Sequence, residues 1–249
     1  MTPIVLIPAR MAATRLPGKP LADIAGATMI ARVLRCALAA DIGPVVVAAG
    51  ETAIAEAVAR AGGSAVLTDP ALASGSDRIL AALEQIDPGR RHDVVVNLQG
   101  DLPFVTGDML AACVDVLDGG AGRDIATLVA PETDAADRSN PDVVKAVLAM
   151  SPPASVGRAL YFTRSTLFGE GPVWRHVGVY AYRREALERF TGAPPSPLER
   201  REKLEQLRAL ELGLSIWAAA IDTAPIGVDT PADLEGARAF ARRQSGGTR

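Results

Sequence analysis

The sequence predicts an α/β fold, with a doubly wound, mostly parallel sheet and a smaller α+β lobe, and three observations carry that reading. Short β-branched runs alternate with amphipathic helical stretches from Ile4 to Ala130, the pattern of successive βαβ units. Apolar residues make up 49% of the 249 positions but aromatic ones only 4%, which implies a core of Ala, Val, Leu and Ile packed between helices and sheet. From Pro131 the alternation stops, and strands follow one another through longer connections rich in Pro and Gly.

Ile4-Val5-Leu6-Ile7 is a buried strand that breaks at Pro8, at the rim of a sheet. The twelve residues after it read as loop. Across 29–39, Ile30, Val33, Leu34, Ala37 and Leu38 share one helical face, and Gly43-Pro44 stops that helix before a strand at 45–48. Helical spacing returns at 52–61 and ends on Gly62-Gly63, a glycine C-cap, ahead of a strand at 64–67. Residues 76–86 form a helix with Ile79, Leu80 and Leu83 inward, and 93–98 is the most strand-like run of the chain, passing into Gln99-Gly100-Asp101. Helix 106–117 and strand 125–130 follow. Beyond them, strands are expected at 143–150, 159–163 and 177–182, a helix at about 197–212 and a strand at 215–220. Gly227-Val228-Asp229 leads into a last helix, 230–242, with Pro231 in its first turn, and 244–249 is expected to fray. One domain is expected over 1–249, with internal boundaries near 130 and 215 and a last region at 216–243.

A formal charge of -3 argues against bulk nucleic-acid binding, which leaves a basic footprint over a whole face. Cys36 and Cys113 stand far apart with no Cys-x-x-Cys, so two isolated thiols in a reducing cytoplasm are expected rather than zinc or a disulfide. No basic residue precedes the first apolar run, and no uncharged stretch reaches the ~18 residues of a membrane span, so a cytoplasmic protein without a membrane partner is expected.

The charge is unevenly spread. Arg10, Arg15 and Lys19 follow the first strand with no acid before Asp23, at the strand edge where open α/β sheets bind ligands. Loop N–H groups with Arg and Lys suit a polyphosphate, and a solvated basic loop is the plain alternative. No Gly-x-Gly-x-x-Gly follows a strand, and Gly18-Lys19 lacks the upstream glycine and the following Ser/Thr of a P-loop; Gly-x-Ser-x-Gly and His-Glu-x-x-His are missing too. Asp101 and Asp229 both come after apolar strand-like runs. Two such carboxylates can hold Mg²⁺, which fills its shell with phosphate oxygens and water, or each can cap the next helix, a role that suits Asp229 beside Thr230-Pro231. Ala73-Ser74-Gly75-Ser76-Asp77-Arg78 enters a helix and can hold a nucleotide or only cap it. His92, beside Arg90-Arg91, reads as solvated, whereas His176 faces either a cleft or the core.

Together the motifs resemble one family, the 3-deoxy-manno-octulosonate (Kdo) cytidylyltransferases. The resemblance runs from Ile4 to about Arg238. It rests on Pro8-Ala9-Arg10 with Thr14-Arg15-Leu16-Pro17-Gly18-Lys19-Pro20-Leu21, on Ser74-Gly75-Ser76-Asp77-Arg78, on Gln99-Gly100-Asp101 and on Asn140-Pro141 with Val144-Lys145. It continues in Ala159-Leu160-Tyr161-Phe162-Thr163-Arg164, Arg175-His176-Val177-Gly178-Val179-Tyr180, Pro195-Ser196-Pro197-Leu198-Glu199, Leu204-Glu205-Gln206-Leu207-Arg208 and Gly227-Val228-Asp229-Thr230-Pro231. The N-terminal loop recurs in many sugar nucleotidyltransferases, while the later motifs specify the sugar acid.

The resemblance implies a Rossmann-like nucleotidyltransferase that condenses CTP with Kdo to CMP-Kdo and pyrophosphate for lipopolysaccharide synthesis, with Mg²⁺, as a cytoplasmic homodimer. It makes 1–130 the nucleotide-binding half, 131–215 the sugar-binding and dimerisation lobe, and 216–243 the closing segment. Nucleotide contacts fall on Pro8, Ala9, Arg10, Arg15, Lys19, Ser74, Gly75, Arg78, Gln99 and Asp101. The catalytic set is Lys19, Arg10, Arg15, Asp101 and Asp229, the last two also the metal ligands. Kdo contacts fall on Arg164, His176, Tyr180, Glu205 and Gln206. Arg164 would pair with the sugar carboxylate, and Glu205 and Gln206 would bond its hydroxyls. Leu102 stands where the family commonly has an acid, and the connection from Arg164 to His176 is shorter than usual. Leu204, Leu207 and Leu210 belong either to a dimer surface or to ordinary core packing.

Overall fold

The computed structural model describes residues 1–12, 15–151, 153–169 and 171–246. Strand β1 (Pro3–Ala9) is followed by a hairpin, β2 (Asp23–Ile24) and β3 (Ala27–Thr28), and by helix α1 (Met29–Ala39). Thr28 caps that helix, its hydroxyl accepting from the Ala31 N–H at 3.4 Å. Then come β4 (Val45–Ala49), α2 (Thr52–Arg60), β5 (Ser64–Leu67), α3 (Gly75–Ile86), β6 (Val94–Leu98), α4 (Gly107–Asp118) and β7 (Ile125–Pro131). The second half holds α5 (Ala135–Ser139), β8 (Lys145–Ala149), β9 (Val156–Thr163), β10 (Trp174–Arg183), α6 (Arg184–Thr191), α7 (Pro197–Glu202), α8 (Gln206–Glu211), β11 (Ile216–Ala220) and α9 (Pro231–Gly246).

Four local expectations are corrected. β1 does not break at Pro8 but runs on to Ala9, with Pro8 opposite Ala48 in a parallel ladder, because proline's φ is compatible with a strand. The single helix expected at about 197–212 is two, α7 and α8, separated where Lys203 turns left-handed at φ 56°. The tail expected to fray from Gln244 is helical to Gly246; 247–249, like Thr14 of the N-terminal motif, lies outside the described residues. His92 is half-buried rather than solvated, its Nδ1 3.2 Å from the Thr2 carbonyl.

Two compact units divide the chain. A terminal unit comprises Thr2–His92, Asn97–Leu110 and Pro225–Arg249, and a central unit comprises Met1, Asp93–Val96 and Ala111–Ala224. This partition is drawn differently from boundaries near 130 and 215, since it assigns residues 111–130 to the central unit and joins the last helix to the N-terminal strands.

In the terminal unit β5, β4 and β1 are parallel neighbours in that order, with Val5 opposite Val45 and Val46 opposite Ser64. Their buried Val, Ile and Leu residues give the near-continuous apolar runs of a strand covered on both faces. A cluster of Ile24, Met29, Val228, Leu234, Ala237 and Ala241, with Leu16 and Phe104 against it, fastens α9 and the segment before it to the N-terminal hairpin. The central unit is mixed. β7 pairs antiparallel with β10 and parallel with β11, and the pairs β11–β9, β9–β8 and β10–β8 are antiparallel. The short connection 150–155 between β8 and β9 permits only reversal, since a parallel return needs a crossover. The chain is therefore α/β with parallel strands in one unit and a mixed arrangement in the other. Among the described residues no helix is long and apolar enough to cross a membrane.

Candidate active site

The loop after β1 is shaped by its own backbone. Leu16-Pro17-Gly18-Lys19 has the form of a type II turn: proline is second, Gly18 takes φ 72° and ψ 14°, and the Lys19 N–H donates to the Leu16 carbonyl at 3.1 Å. The Gly18 N–H donates to the Met11 carbonyl at 3.2 Å, while the Met11 N–H donates to Glu51 Oε2 at 2.9 Å, so both ends of the loop are tied. Gly100 lies so close to β1 that a Cβ there would meet the Pro8 carbonyl oxygen at 2.9 Å. These constraints open a cavity of about 390 Å³ within the terminal unit, a size ordinary for a small-molecule site. Its wall contains Pro8, Ala9, Arg10, Arg15, Lys19, Ser74, Gly75, Arg78, Gln99, Asp101 and Asp229, which is the whole expected nucleotide and catalytic set. Ala12, Leu16, Pro20 and Gly100, to which the sequence reading gave no role, line it as well.

Charge converges here. Lys19 Nζ donates to Asp101 Oδ2 at 2.8 Å and to Asp229 Oδ1 at 3.0 Å, and Arg15 Nη2 lies 3.1 Å from Asp229 Oδ2. Burial works to lower the Lys19 pKa, but the two carboxylates outweigh it and hold the ammonium above its ordinary value, so the residue is a full positive charge at neutral pH. Neither aspartate is spent as a helix cap. Thr230 caps α9, exchanging bonds with Asp233 at 2.8 Å and 3.2 Å, and Thr106 accepts from the Met109 N–H at the start of α4. Asp101 and Asp229 thus present oxygens to a single point now held by an ammonium. Among the described residues no group of three or more His, Cys, Asp or Glu side chains is placed to hold a metal. Two carboxylates alone fit a hard cation that completes its shell with substrate phosphates and water.

The other wall residues do different work. Arg78 is fully buried, its guanidinium donating to Thr68 Oγ1 at 2.7 Å and to the Asp69 and Pro70 carbonyls at 3.0 and 3.3 Å, so it braces the loop behind the cavity. Arg10 is exposed and reaches the Leu72 carbonyl at 3.2 Å. Ser74 closes a capping box with Asp77, accepting from its N–H at 3.1 Å and donating to Oδ2 at 2.9 Å. Gln99 donates to Asn97 Oδ1 at 3.0 Å. Leu102, in place of the family's acid, is buried and adds no charge.

The expected sugar contacts lie in the central unit. His176 lies on β10 just before its first buried residue, Val177, its ring edge-on to Phe162 at 5.1 Å and 5.4 Å from Tyr180. Burial pushes the His176 pKa down to about 4, so the ring is neutral at pH 7. Burial first, then Tyr182 and Glu205, raise the Tyr180 phenol well above its ordinary range, which places the Glu205 carboxylate within electrostatic reach. Gln206, buried, starts α8 directly after Glu205. The start of α8 is held by Arg208, which grips Glu199 with two bonds of 2.7 Å; Glu199 in turn closes the Ser196 capping box of α7. The Pro195–Glu199 motif is therefore framework. Arg164 directly follows β9, whose last residue Thr163 pairs with Lys145, and Lys145 pairs with Arg175, so the register sets Arg164 and His176 two strands apart. Its Nη1 donates to the Pro141 carbonyl at 2.9 Å, and among the described residues no carboxylate pairs with it.

Three supports were not anticipated. Lys145 is completely buried, its Nζ donating to the Asn140 and Arg164 carbonyls at 2.5 and 3.1 Å and so anchoring the end of β9. Glu51 holds Met11, and Thr127 contacts His176 Nε2 at 3.0 Å. The sequence signal for Lys145 and Thr127 was a lone polar residue inside an apolar strand. Leu204 and Leu207 are buried within their own chain as core packing, whereas Leu210 is half-buried. Both thiols are free, and burial pushes the Cys113 pKa up to about 12.

A family model described as cytidylyltransferase matches residues 4–216. The 3-deoxy-manno-octulosonate cytidylyltransferase of Rhodospirillum centenum is 58% identical over 98% of this chain and 95% of its own length, and that of Parvibaculum lavamentivorans is 57% identical over 98% and 94%. The solved structure of a CMP:2-keto-3-deoxy-manno-octonic acid synthetase complexed with CTP superposes with a TM-score of 0.89 at 34% identity, covering 98% of this chain and all of that one. A 4-diphosphocytidyl-2C-methyl-D-erythritol synthase from Anaerococcus prevotii shares the fold alone, with a TM-score of 0.66 at 11% identity over 97% of this chain and 99% of that one. With the model spanning most of the chain and the relatives covering nearly all of it, the chain belongs to the cytidylyltransferase family, among the 3-deoxy-manno-octulosonate cytidylyltransferases.

Proposed function

We propose that the protein transfers CMP from CTP to Kdo, releasing pyrophosphate, and that it does so as a cytoplasmic homodimer that uses Mg²⁺. The observation that carries the reading is the meeting of Lys19, Arg15, Asp101 and Asp229 in one cavity. CTP occupies the terminal unit, its triphosphate against Arg10, Arg15 and Lys19, with the loop at Ser74 and Gly75 forming part of the wall. Kdo is held by the central unit's Arg164, His176, Tyr180, Glu205 and Gln206.

The sugar's anomeric hydroxyl attacks the α-phosphorus and gives up its proton to solvent, while the bond to the β-phosphate breaks and pyrophosphate leaves; no side-chain nucleophile takes part. Phosphoryl transfer of this kind depends on positioning and on neutralising charge. Lys19, kept protonated by its two aspartates, supplies a full positive charge to the phosphates, and Arg10 and Arg15 add theirs on the pyrophosphate side. Asp101 and Asp229 would hold Mg²⁺, which when bound screens the phosphate oxygens and the incoming oxygen from one another. Because His176 is neutral, Arg164 alone carries the charge that meets the sugar carboxylate, and its planar fork suits that partner.

Pyrophosphate release with CTP and Mg²⁺ tests the reading. Turnover with Kdo and none with a polyol phosphate is expected; the opposite preference would overturn the acceptor, and release with neither would overturn the enzyme. A solution mass near twice 25.9 kDa tests the dimer.

A further inference from the structure

Thr127 is the only polar side chain in the strand Ile-Ala-Thr-Leu-Val-Ala-Pro, and it is fully buried. Opposite it the β7–β10 ladder slips register between Val177 and Tyr180, a bulge that spans Gly178 and Val179. The slip brings two carbonyls to one hydroxyl: Thr127 Oγ1 lies 3.2 Å from the Val177 oxygen and 2.8 Å from the Val179 oxygen. His176 Nε2 lies 3.0 Å from the same Oγ1.

A hydroxyl has one proton and two lone pairs. Two oxygens 2.8 Å apart need a proton between them, so the Thr127 proton is committed to the carbonyls and only lone pairs are left for the imidazole. The nitrogen facing a lone pair must itself carry hydrogen. We infer that Thr127 is a positioning residue that locks His176 as the Nε2–H tautomer, so that Nδ1 is offered as a hydrogen-bond acceptor to a hydroxyl of the sugar substrate.

Three further observations agree. The ring is fixed in angle by Phe162 and Tyr180 on its flanks. His176 keeps partial exposure, and among the described residues Nδ1 has no hydrogen-bond partner. Burial keeps the ring neutral, so Nδ1 has a lone pair to offer. A bare Nδ1 accepts from a hydroxyl and repels a carboxylate, which assigns His176 to the polyol part of a sugar acid and leaves the carboxylate to Arg164. The tautomer stands on geometry alone; the identity of the hydroxyl's owner rests on the function proposed above.

The chain has only two histidines, so nitrogen-15 imidazole spectra of the labelled protein contain two rings, and His92→Gln assigns them. The expected wild-type spectrum shows His176 with a protonated Nε2 and an unprotonated Nδ1, with Nδ1 shifting when Kdo is added. Thr127→Ser keeps the acceptor and is expected to keep both the tautomer and the KM for Kdo. Thr127→Val removes it, and is expected to mix the tautomers and raise the KM for Kdo about tenfold with the KM for CTP unchanged, the scale of one hydrogen bond. A wild-type ring protonated at Nδ1 overturns the inference whether or not the valine variant folds, as does a folded Thr127→Val with wild-type tautomer and KM. Absence of any Kdo-dependent product from the wild type would instead strike the proposed function and leave the tautomer result standing.

Discussion

On the proposed function, the terminal-unit cavity and the His176 cluster of the central unit meet the same demand, a polar substrate, by opposite physics. In the cavity the catalytic side chains are all charged, and the charges restrain one another: Lys19 sits between Asp101 and Asp229, and Arg15 takes the oxygen of Asp229 that Lys19 does not. Around His176 burial disfavours charge, leaving a neutral imidazole, a phenol that stays protonated and a threonine hydroxyl, while the nearby Glu205 carboxylate lies 3.6 Å from Arg208. A cavity of matched ions is suited to a substrate that arrives heavily charged, because ligand charge can replace internal charge. A neutral cluster is suited to hydroxyls, which are recognised by direction.

The contrast is most exposed at Asp101. Asp101→Asn keeps shape and removes one of the two carboxylates that hold Lys19, and turnover is expected to fall by about 10²-fold or more while the circular dichroism spectrum is unchanged. Pyrophosphate release at limiting Mg²⁺ measures it. Near wild-type turnover would mean that the cavity does not work through its ions, and the comparison would lose its first half.

The neutral cluster makes a pH prediction of its own. Unfolded, His176 takes up a proton as pH falls through 6.5; folded, it resists until about 4. The unfolded chain therefore binds more protons in that window, and stability present above pH 6.5 is lost as pH drops. Between pH 6.5 and pH 5 the loss is about 2 kcal/mol from this one group. Urea titrations of wild type and His176→Gln across that range should diverge by this amount, and parallel curves would mean that the ring is not kept neutral.

How much of each region was readable beforehand follows the same line. The cavity was legible because its residues announce themselves: three cations without an acid in one short segment, and Asp101 just past a strand; Asp229, expected after another strand, instead follows the irregular segment after β11 ends at Ala220. What the sequence left open was whether Asp229 caps a helix, and only packing decided it, since Thr230 and Asp233 are the cap and the Val228 cluster holds the segment in place. The alternating elements up to Ile125 were readable because each is bounded by Gly, Pro or a capping residue. The break at Lys203 was not, because a lysine at φ 56° carries no signal of its own and is held there by the tertiary grip of Arg208 on Glu199. Arg78 carries a further duty that its charge did not announce: it lines the cavity, and its buried guanidinium also braces the loop behind it. For His176 the motif named the residue, but its protonation and tautomer depend on a bulge and a threonine in another strand.

A smaller effect is expected at Arg164, the cation of the sugar set, whose guanidinium has no carboxylate partner among the described residues although its backbone N–H donates to Glu202 at 3.4 Å. Arg164→Lys keeps the charge and loses the fork. The KM for Kdo should rise about tenfold with the KM for CTP unmoved, because a point charge replaces a bidentate donor. An equal rise in both would show that Arg164 serves the fold through Pro141 rather than the sugar.

Ser74 lines the charged cavity but has its hydroxyl engaged within its own helix start. Its hydroxyl already donates to Asp77 Oδ2 and accepts from the Asp77 N–H, which uses the only proton it has. Ser74→Ala should therefore cost about 1 kcal/mol of stability, the value of an N-cap, and lower the urea midpoint accordingly. Its effect on the KM for CTP should stay within about twofold, far below the scale of a lost charged contact. What the Ser-Gly loop gives the nucleotide is then room: Gly75 has no side chain, and a Cβ there would already stand 3.3 Å from Pro8 and 3.5 Å from Gln99. Gly75→Ala, placed in the same assay, should raise the KM for CTP more than Ser74→Ala does, because it fills the cavity while the serine change only loosens a helix end.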